Sequence, residues 1–520
     1  MEILVLTRAL PALPRLTLPL TLSFVVVCGM TVYAVLFGDP HAVLFMTPFF
    51  LLGCARGRHP LTLLALSTIP AVALLSVSLV KTMLTGFSLV TYDAYFIREN
   101  LLMLAYNDWR VATGLIVLIG GIVFYLRSLF SGRGAFTRFE RKSALALGFA
   151  SVGCIVGVQQ WDQDIFDWEY ELSRPSVRGF VKSVRIPESQ LALPATAAEL
   201  PPLKNLSLGA PPGALPDLFF ILQESTFHPR LVRPGYEPTH LFSSQASHTG
   251  DLHVHTYGGG TWMTEFSLVS QMRPQEFGNG GLYVFHQLEG RIKRSVFTLL
   301  KELGYRTVVV YPVPGEFINA RNFYKSIGVD EFYDPEALGI SKGWDWEIPD
   351  MKFYDAIQRK IEGTKQPIAL MMLTIIQHGP HDAIDPVTDY LTRFEQSDEA
   401  YGSFLDFLLL RGRKAGVVAF GDHHPDFTNS RMPDEQTKEL TAYEIRCINF
   451  NCTNKALAPN KSRTIDIGVL TPIALEEFGF VLDDLSLLQK TLLGTCDADL
   501  SRCDETARLQ FNSAFSQFVK

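Results

Sequence analysis

The stretch GVVAFGDHH, residues 416–424, sets a short apolar run, 416–420, directly against Gly421, Asp422, His423 and His424. An unbroken run of that length, rich in Val and Phe and closed by glycine and charge, reads as a strand buried on both faces. Working outward, residues 218–222, 307–311 and 368–376 read the same way, while 291–303, 351–362 and 390–410 space their apolar residues as helices do. Strands alternating with helices predict an α/β domain whose mostly parallel sheet is covered by helices on both faces. Ligands of such sheets bind beyond the carboxyl ends of the strands, so the residues that follow each strand decide the chemistry.

Those residues form a coherent set. The run at 218–222 leads into Gln223, Glu224 and Ser225, and the run at 368–376 into Gln377, His378, Gly379, Pro380 and His381. Between them lie Gly258, Gly259, Gly260 and Thr261, followed by an apolar-patterned run at 262–272. Carboxylates and imidazoles on one rim are ligands for a divalent cation, Zn2+ or Mn2+. A Thr after three glycines and before a helix is expected at the N-cap, where backbone N–H groups and the helix dipole favour a phosphate. Thr264 and Ser267 stand as alternative nucleophiles, and His424 as either a supporting residue or a surface one. His253 and His255 alternate just before the glycines, lining a substrate pocket or forming an ordinary polar strand face.

The chain has 520 residues, 47% hydrophobic and 19% charged, with a formal net charge of -7. Low charge and mild acidity exclude a disordered or nucleic-acid-coating protein, so no nucleic-acid partner is expected. Apolar runs crowd the first part of the chain, at 16–38, 41–55, 61–80, 111–126 and 143–158. The first and third are near the roughly 20 residues that cross a bilayer, and the others are shorter. Five runs in series predict an N-terminal multi-span α-helical membrane domain over residues 1–158. With the N-terminus inside, nine Lys and Arg fall in inside segments and three outside, which places everything after residue 158 on the outer side. A cleaved signal peptide is disfavoured, and 87–107 reads as an interfacial helix.

Residues 159–216 end in a Pro- and Ala-rich stretch and read as an extracytoplasmic linker, leaving 217–520 as the catalytic domain. Cys447, Cys452, Cys496 and Cys503 lie in that part. Local pairing of Cys447 with Cys452 and of Cys496 with Cys503 is the simplest arrangement in an oxidising compartment; a zinc site of four thiolates is the rival.

The matches PDLFFILQES (216–225), GGGTWMTEF (258–266), LTIIQHGPH (373–381) and AFGDHH (419–424) resemble the alkaline phosphatase/sulfatase superfamily, and within it the membrane-anchored lipoteichoic acid synthase-like transferases. The resemblance implies a sulfatase-like fold for the C-terminal domain. It implies Glu224, Asp422, His423 and Thr261 as metal ligands, Thr261 also as the nucleophile, and His378 as a contact of the substrate phosphate or leaving group. Metal coordination is one way to activate a threonine hydroxyl at neutral pH. Residues 316–328, EFINARNFYKSIG, look like the family's substrate-contacting stretch, with Ile318 in the usual aromatic position and Arg321 one place from the expected arginine. Arg321 is still expected to reach a phosphate.

An arylsulfatase is disfavoured, because residues 261–265 lack the Pro and Arg of a C/S-x-P-x-R sequence. The expectation is a metal-dependent phosphotransferase in a bacterial cytoplasmic membrane, its catalytic domain periplasmic. It moves a phosphoglycerol head group from a membrane phospholipid to an envelope glycan or lipid through a phospho-threonine. Phosphoethanolamine transfer onto lipid A or glycan is the alternative, and a non-catalytic sulfatase-like envelope binding protein the third.

Overall fold

The computed structural model describes residues 46–51, 60–85 and 176–183, scattered positions between 88 and 142, and residues 203–519 apart from 343–344, 383, 429–434, 456–463 and 494–504. The chain divides into two compact units. One comprises Met1–Thr82 and Ser88–Arg185, the other Met83–Phe87 and Ile186–Lys520.

In the first unit the apolar run at 61–80 forms a helix, Pro60–Thr85, of 26 residues. Its Leu74 and Leu75 pack on Val177 of the short helix Val177–Ser183. The runs at 16–38 and 143–158 lie outside the described residues, as do most of 41–55, 87–107, 111–126 and the linker at 159–216. Among the residues whose side chains are described, no helix is long and apolar enough to cross a membrane.

The second unit is built on an eight-stranded sheet. Its strands are β1 (Asp217–Gln223), β2 (His248–His253), β3 (Arg306–Val310), β4 (Glu331–Tyr333), β5 (Ile368–Leu373), β6 (Ala415–Gly421), β7 (Leu440–Ile448) and β8 (Ile465–Asp466). They run in the order β4-β3-β5-β1-β6-β7-β2-β8. Every pairing is parallel except those of β7, which runs antiparallel to β6 and β2. The central strands β1, β5 and β6 are buried along their whole length, as their unbroken apolar sequences require. Phe404 of helix Pro386–Arg411 meets Phe219 edge-on at 5.3 Å, while the ring of Phe478, which ends helix Ile467–Glu477, lies over Gly416. Gly416 pairs with Leu218, and Leu218 and Phe219 point to opposite faces, so helices cover both faces of the sheet.

Two boundaries differ from the sequence reading for local reasons. The helix expected at 291–303 begins at Val296, because Ser295 caps it in a reciprocal pair with Thr298. Strand β5 ends at Leu373 instead of Ile376, because the N–H groups of Ile375 and Ile376 turn to Asp350 Oδ1, at 2.9 and 3.2 Å. Strands β2 and β7 were not legible as apolar runs. HTGDLH is polar, and LTAYEIRCI carries Glu444 and Arg446, a buried ion pair at 2.7 Å. Cys447 and Cys452 form the expected local disulfide; Cys496 and Cys503 lie outside the described residues.

Candidate active site

Three strand ends and one helix start meet at the carboxyl edge of the sheet. After β1 the chain turns sharply, with Ser225 at φ 48°, so that the Ser225 N–H donates to Asp422 Oδ1 at 2.7 Å. That approach needs Gly421, where a Cβ would lie 1.7 Å from the Thr226 carbonyl oxygen. Glycine is the one residue that lets β6 deliver Asp422 and His423 beside Glu224. The His423 N–H also donates to Asp422 Oδ1, at 2.9 Å.

Thr261 opens helix Thr261–Ser270 but is not its cap. Gly260, left-handed at φ 79°, occupies the N-cap, and no side chain caps the helix. The Thr261 hydroxyl, free of any capping role, is left to face the site. It donates to Glu224 Oε2 at 3.2 Å and lies 3.3 Å from His423 Nε2. His423 Nε2 is in turn 3.3 Å from Asp422 Oδ2 and 3.7 Å from Glu224 Oε1. The alternative nucleophiles are occupied. Thr264 donates to the Asp422 carbonyl at 2.9 Å and Ser267 to that of Met263 at 3.0 Å, both from buried positions.

Glu224, Asp422 and His423 are buried, and their ligand atoms lie within 4.8 Å of one another. Burial pushes Asp422 up to about 7, and burial followed by the Asp422 charge raises Glu224. Burial lowers His423. Asp422 Oδ2 is buried and accepts no hydrogen bond. His423 Nδ1 lies 3.0 Å from the His424 carbonyl; donation there leaves the Nε2 lone pair facing the carboxylates. Two buried carboxylates, an unsatisfied oxygen and an inward imidazole fit a divalent cation, whose charge offsets the desolvation the carboxylates suffer.

His424 is neither a surface residue nor a ligand. Its ring stacks on Phe227 at 4.4 Å, its Nε2 lies 2.6 Å from the Leu440 carbonyl, and burial pushes it down to about 4. Its carbonyl also accepts from the Gly258 N–H at 2.9 Å, tying the glycine loop to β6.

His378 stacks on Trp346 at 4.1 Å and lies within electrostatic reach of Glu224. Its Nδ1 lies 2.7 Å from the Gly379 carbonyl. His381 instead packs among Tyr390 and Phe427, and burial pushes it down to about 4. Arg393 was missed in the sequence. It donates to the carbonyls of Ile376, His378 and Pro380 at 3.3, 2.9 and 3.2 Å and holds the loop that carries His378. Only a contact across the fold reveals it, since an arginine inside an amphipathic helix is unremarkable in sequence.

Arg321 does not join the quartet. Its guanidinium pairs with Asp334 and Glu316 and covers the Phe332 ring at 4.9 Å. His253 Nε2 faces Glu439 at 3.3 Å, and His255 Nε2 faces Asp466 at 2.8 Å. What the 316–328 stretch does supply is Tyr324, whose hydroxyl donates to Glu265 at 2.5 Å. Tyr311 donates to the same carboxyl at 3.2 Å.

Glu265 is fully buried, and burial pushes it up to about 8 from 4.5. A carboxyl raised on folding contributes stability below its unfolded pKa and loses it as pH rises toward the folded value. Glu265→Gln cannot ionise; its one carbonyl oxygen still accepts from one tyrosine, while its NH2 group can donate to the hydroxyl oxygen of the other. It is expected to raise stability at pH 8 by roughly 2–4 kcal/mol and to flatten the decline above pH 4.5. Urea unfolding at several pH values checks this; an unchanged pH slope would refute it.

Residues 216–447 match the Sulfatase family. A Haemophilus influenzae protein described as uncharacterized is 23% identical over 340 residues, 58% of this chain and 60% of that protein. The lipoteichoic acid synthase-like YvgJ of Bacillus subtilis is 24% identical over 209 residues, 36% of this chain and 33% of that protein. The chain thus matches less than two thirds of the length of either relative. The solved Streptococcus pyogenes phosphoglycerol transferase GacH, in complex with sn-glycerol-1-phosphate, superposes with a TM-score of 0.47 at 16% identity, covering 58% of this chain and 86% of that one. Residues 216–447 thus form a domain of the sulfatase/alkaline phosphatase superfamily.

Proposed function

We propose that the chain is a metal-dependent phosphotransferase that moves a phosphoglycerol head group from a membrane phospholipid to an envelope glycan or lipid. The observation that carries this reading is the Thr261 hydroxyl, at a helix start and within 3.3 Å of both Glu224 and His423. A hydroxyl with no role in capping its helix, aimed at a buried carboxylate and an imidazole, is arranged as a nucleophile. Glu224, Asp422, His423 and Thr261 would hold the divalent cation, Mn2+ or Zn2+. Bound there, it would supply positive charge to the nucleophile and to the phosphoryl oxygens.

In the first displacement Thr261 Oγ forms a bond to phosphorus, and the bond from phosphorus to the diacylglycerol oxygen breaks. Glu224 Oε2, already accepting the Thr261 hydroxyl, is placed to hold the departing proton. His378, braced by Trp346 and by Arg393 through its own carbonyl, protonates the leaving oxygen. Diacylglycerol departs with the head-group phosphate left on Thr261. An acceptor hydroxyl then attacks the same phosphorus, giving its proton to His378, and the bond to Thr261 Oγ breaks as Glu224 returns the proton to that oxygen.

Membrane attachment through residues 1–158 completes the proposal. Ile69, Val72, Val77 and Leu79 of helix Pro60–Thr85 are 47–58% exposed, and Ile116, Ile119, Ile122 and Val123 are 49–71% exposed. Large aliphatic side chains this open to the surroundings suit lipid better than water. The Cys447–Cys452 disulfide suits a periplasmic catalytic domain at residues 217–520, reached through a linker at 159–216. A reporter fused after Lys520 is expected to be active only on the outer side of a bacterial cytoplasmic membrane; cytoplasmic activity would refute the topology.

The reaction is tested by incubating the full chain with vesicles of phosphatidylglycerol or phosphatidylethanolamine and measuring diacylglycerol. Release from phosphatidylglycerol is expected. Release from phosphatidylethanolamine alone would reassign the head group to phosphoethanolamine, and release from neither would overturn the reading.

A further inference from the structure

A second group of metal-ligating side chains lies where β7, β2 and β8 adjoin, and the phosphotransfer chemistry above does not use it. His253 ends β2 and pairs in register with Leu440 of β7 on one side and Asp466 of β8 on the other. Glu439 immediately precedes β7, and His255 follows His253 by two residues. Four potential ligands are thus brought together from three separate segments of chain.

The distances group three of these side chains closely, and Glu439 joins them through His253. His255 Nε2 is 2.8 Å from Asp466 Oδ2, His253 Nε2 is 3.3 Å from Glu439 Oε2, and the two imidazole centroids are 5.0 Å apart. Ligand atoms of His253, His255 and Asp466 all fall within 4.8 Å of one another. Tetrahedral zinc with ligand bonds of about 2.0–2.2 Å separates neighbouring ligand atoms by roughly 3.3–3.6 Å, so small rotations suit the three grouped side chains and a turn of the partly exposed Glu439 supplies the fourth. Asp466 Oδ1 is committed to the Gly468 N–H at 2.9 Å, which orients Oδ2 toward the imidazoles.

Charge and burial point the same way. The side chains of His253 and His255 are each 8% exposed and that of Asp466 is fully buried, while Glu439 closes the outer side at 35%. One dication balances both carboxylates and leaves the imidazoles neutral. Arg273, the nearby cation, acts on Asp466 through space, but its guanidinium is paired with Glu276 and makes no hydrogen bond to the cluster.

We infer that His253, His255, Asp466 and Glu439 form a second Zn2+ site. Four protein ligands make it a closed, structural site rather than one that activates water. It would fasten the end of β2 to β7 and β8 and so fix the start of the glycine loop, residues 256–260, that presents Thr261. His253 is thereby assigned to an ion rather than to substrate.

The test uses the full chain in detergent, stripped with chelator, dialysed against Zn2+ and assayed by elemental analysis. The chain carrying Asp422→Asn, which impairs the first centre, is expected to retain one Zn2+. Adding His255→Gln to that variant is expected to remove it while circular dichroism stays native. If the added change unfolds the protein, Glu439→Gln, at a partly exposed position, is expected to weaken the remaining Zn2+ at least tenfold. Co2+ in place of Zn2+ in the Asp422→Asn chain is expected to show the visible absorption of tetrahedral nitrogen and oxygen ligation. An Asp422→Asn chain that holds no Zn2+, or His255→Gln and Glu439→Gln variants that bind as tightly as their parent, would overturn the proposal. Failure of the first centre to bind metal would instead leave the unmutated chain with one Zn2+, still sensitive to His255→Gln.

Discussion

Thr261→Ala is expected to lower turnover on the order of 10^4-fold or more, because it deletes the atom that bonds to phosphorus while leaving the rest of the site in place. The same change should cost little stability, within about 0.5 kcal/mol, since the helix is capped by the Gly260 backbone and not by the Thr261 side chain. Loss of activity with an unchanged melting temperature therefore separates nucleophile from structural residue. Thr261→Ser keeps a hydroxyl at the same place and is expected to retain measurable turnover. Mass spectrometry of the unmutated chain after exposure to phospholipid without acceptor should find the head-group phosphate on Thr261. Substantial turnover by Thr261→Ala, or an adduct on Thr264 or Ser267, would overturn the assignment. The buried, backbone-bonded hydroxyls of those two residues argue against the second outcome.

Asp422→Asn is expected to change metal binding and stability in opposite directions. Asparagine still accepts from the N–H groups of Ser225 and His423 through one oxygen, but it turns an uncharged NH2 group to where the buried Oδ2 now lies. Occupancy of the first centre by Mn2+ or Zn2+ should fall on the order of 100-fold, with activity falling alongside, because a dication loses an anionic ligand. In the metal-stripped chain the sign reverses. Asp422, pushed by burial from 3.8 up to about 7, contributes stability below pH 3.8 that is lost as pH rises toward 7. The stripped Asn variant should thus exceed the stripped parent at pH 8 by up to about 4 kcal/mol, whereas the metal-loaded parent should exceed both. Denaturation with and without chelator measures this. Equal metal occupancy in the two chains would remove Asp422 from the ligand set.

Sequence alone determined the middle of this protein. Strands β1, β3, β5 and β6 are legible because a strand covered on both faces must be apolar throughout. Glu224, Asp422 and His423 are legible because each directly follows such a strand, and Thr261 because it follows three glycines; chemistry at a strand end is written in adjacent residues. Tertiary structure decided what depends on contacts distant in the chain. Strands β2 and β7 stay hidden because their polar residues are matched by partners from elsewhere, as Glu444 is by the Tyr401 hydroxyl and by the Phe242 N–H at 2.7 Å. Arg321 carries the right charge for a phosphate, yet the fold places Asp334 against it. His253 and Asp466 are separated by most of the domain in sequence and become neighbours only when β2 pairs with β8. Apolar burial is a property of a run of residues and so leaves a local record, whereas charge pairing and ligation are properties of two or more segments and exist only once the chain has closed on itself.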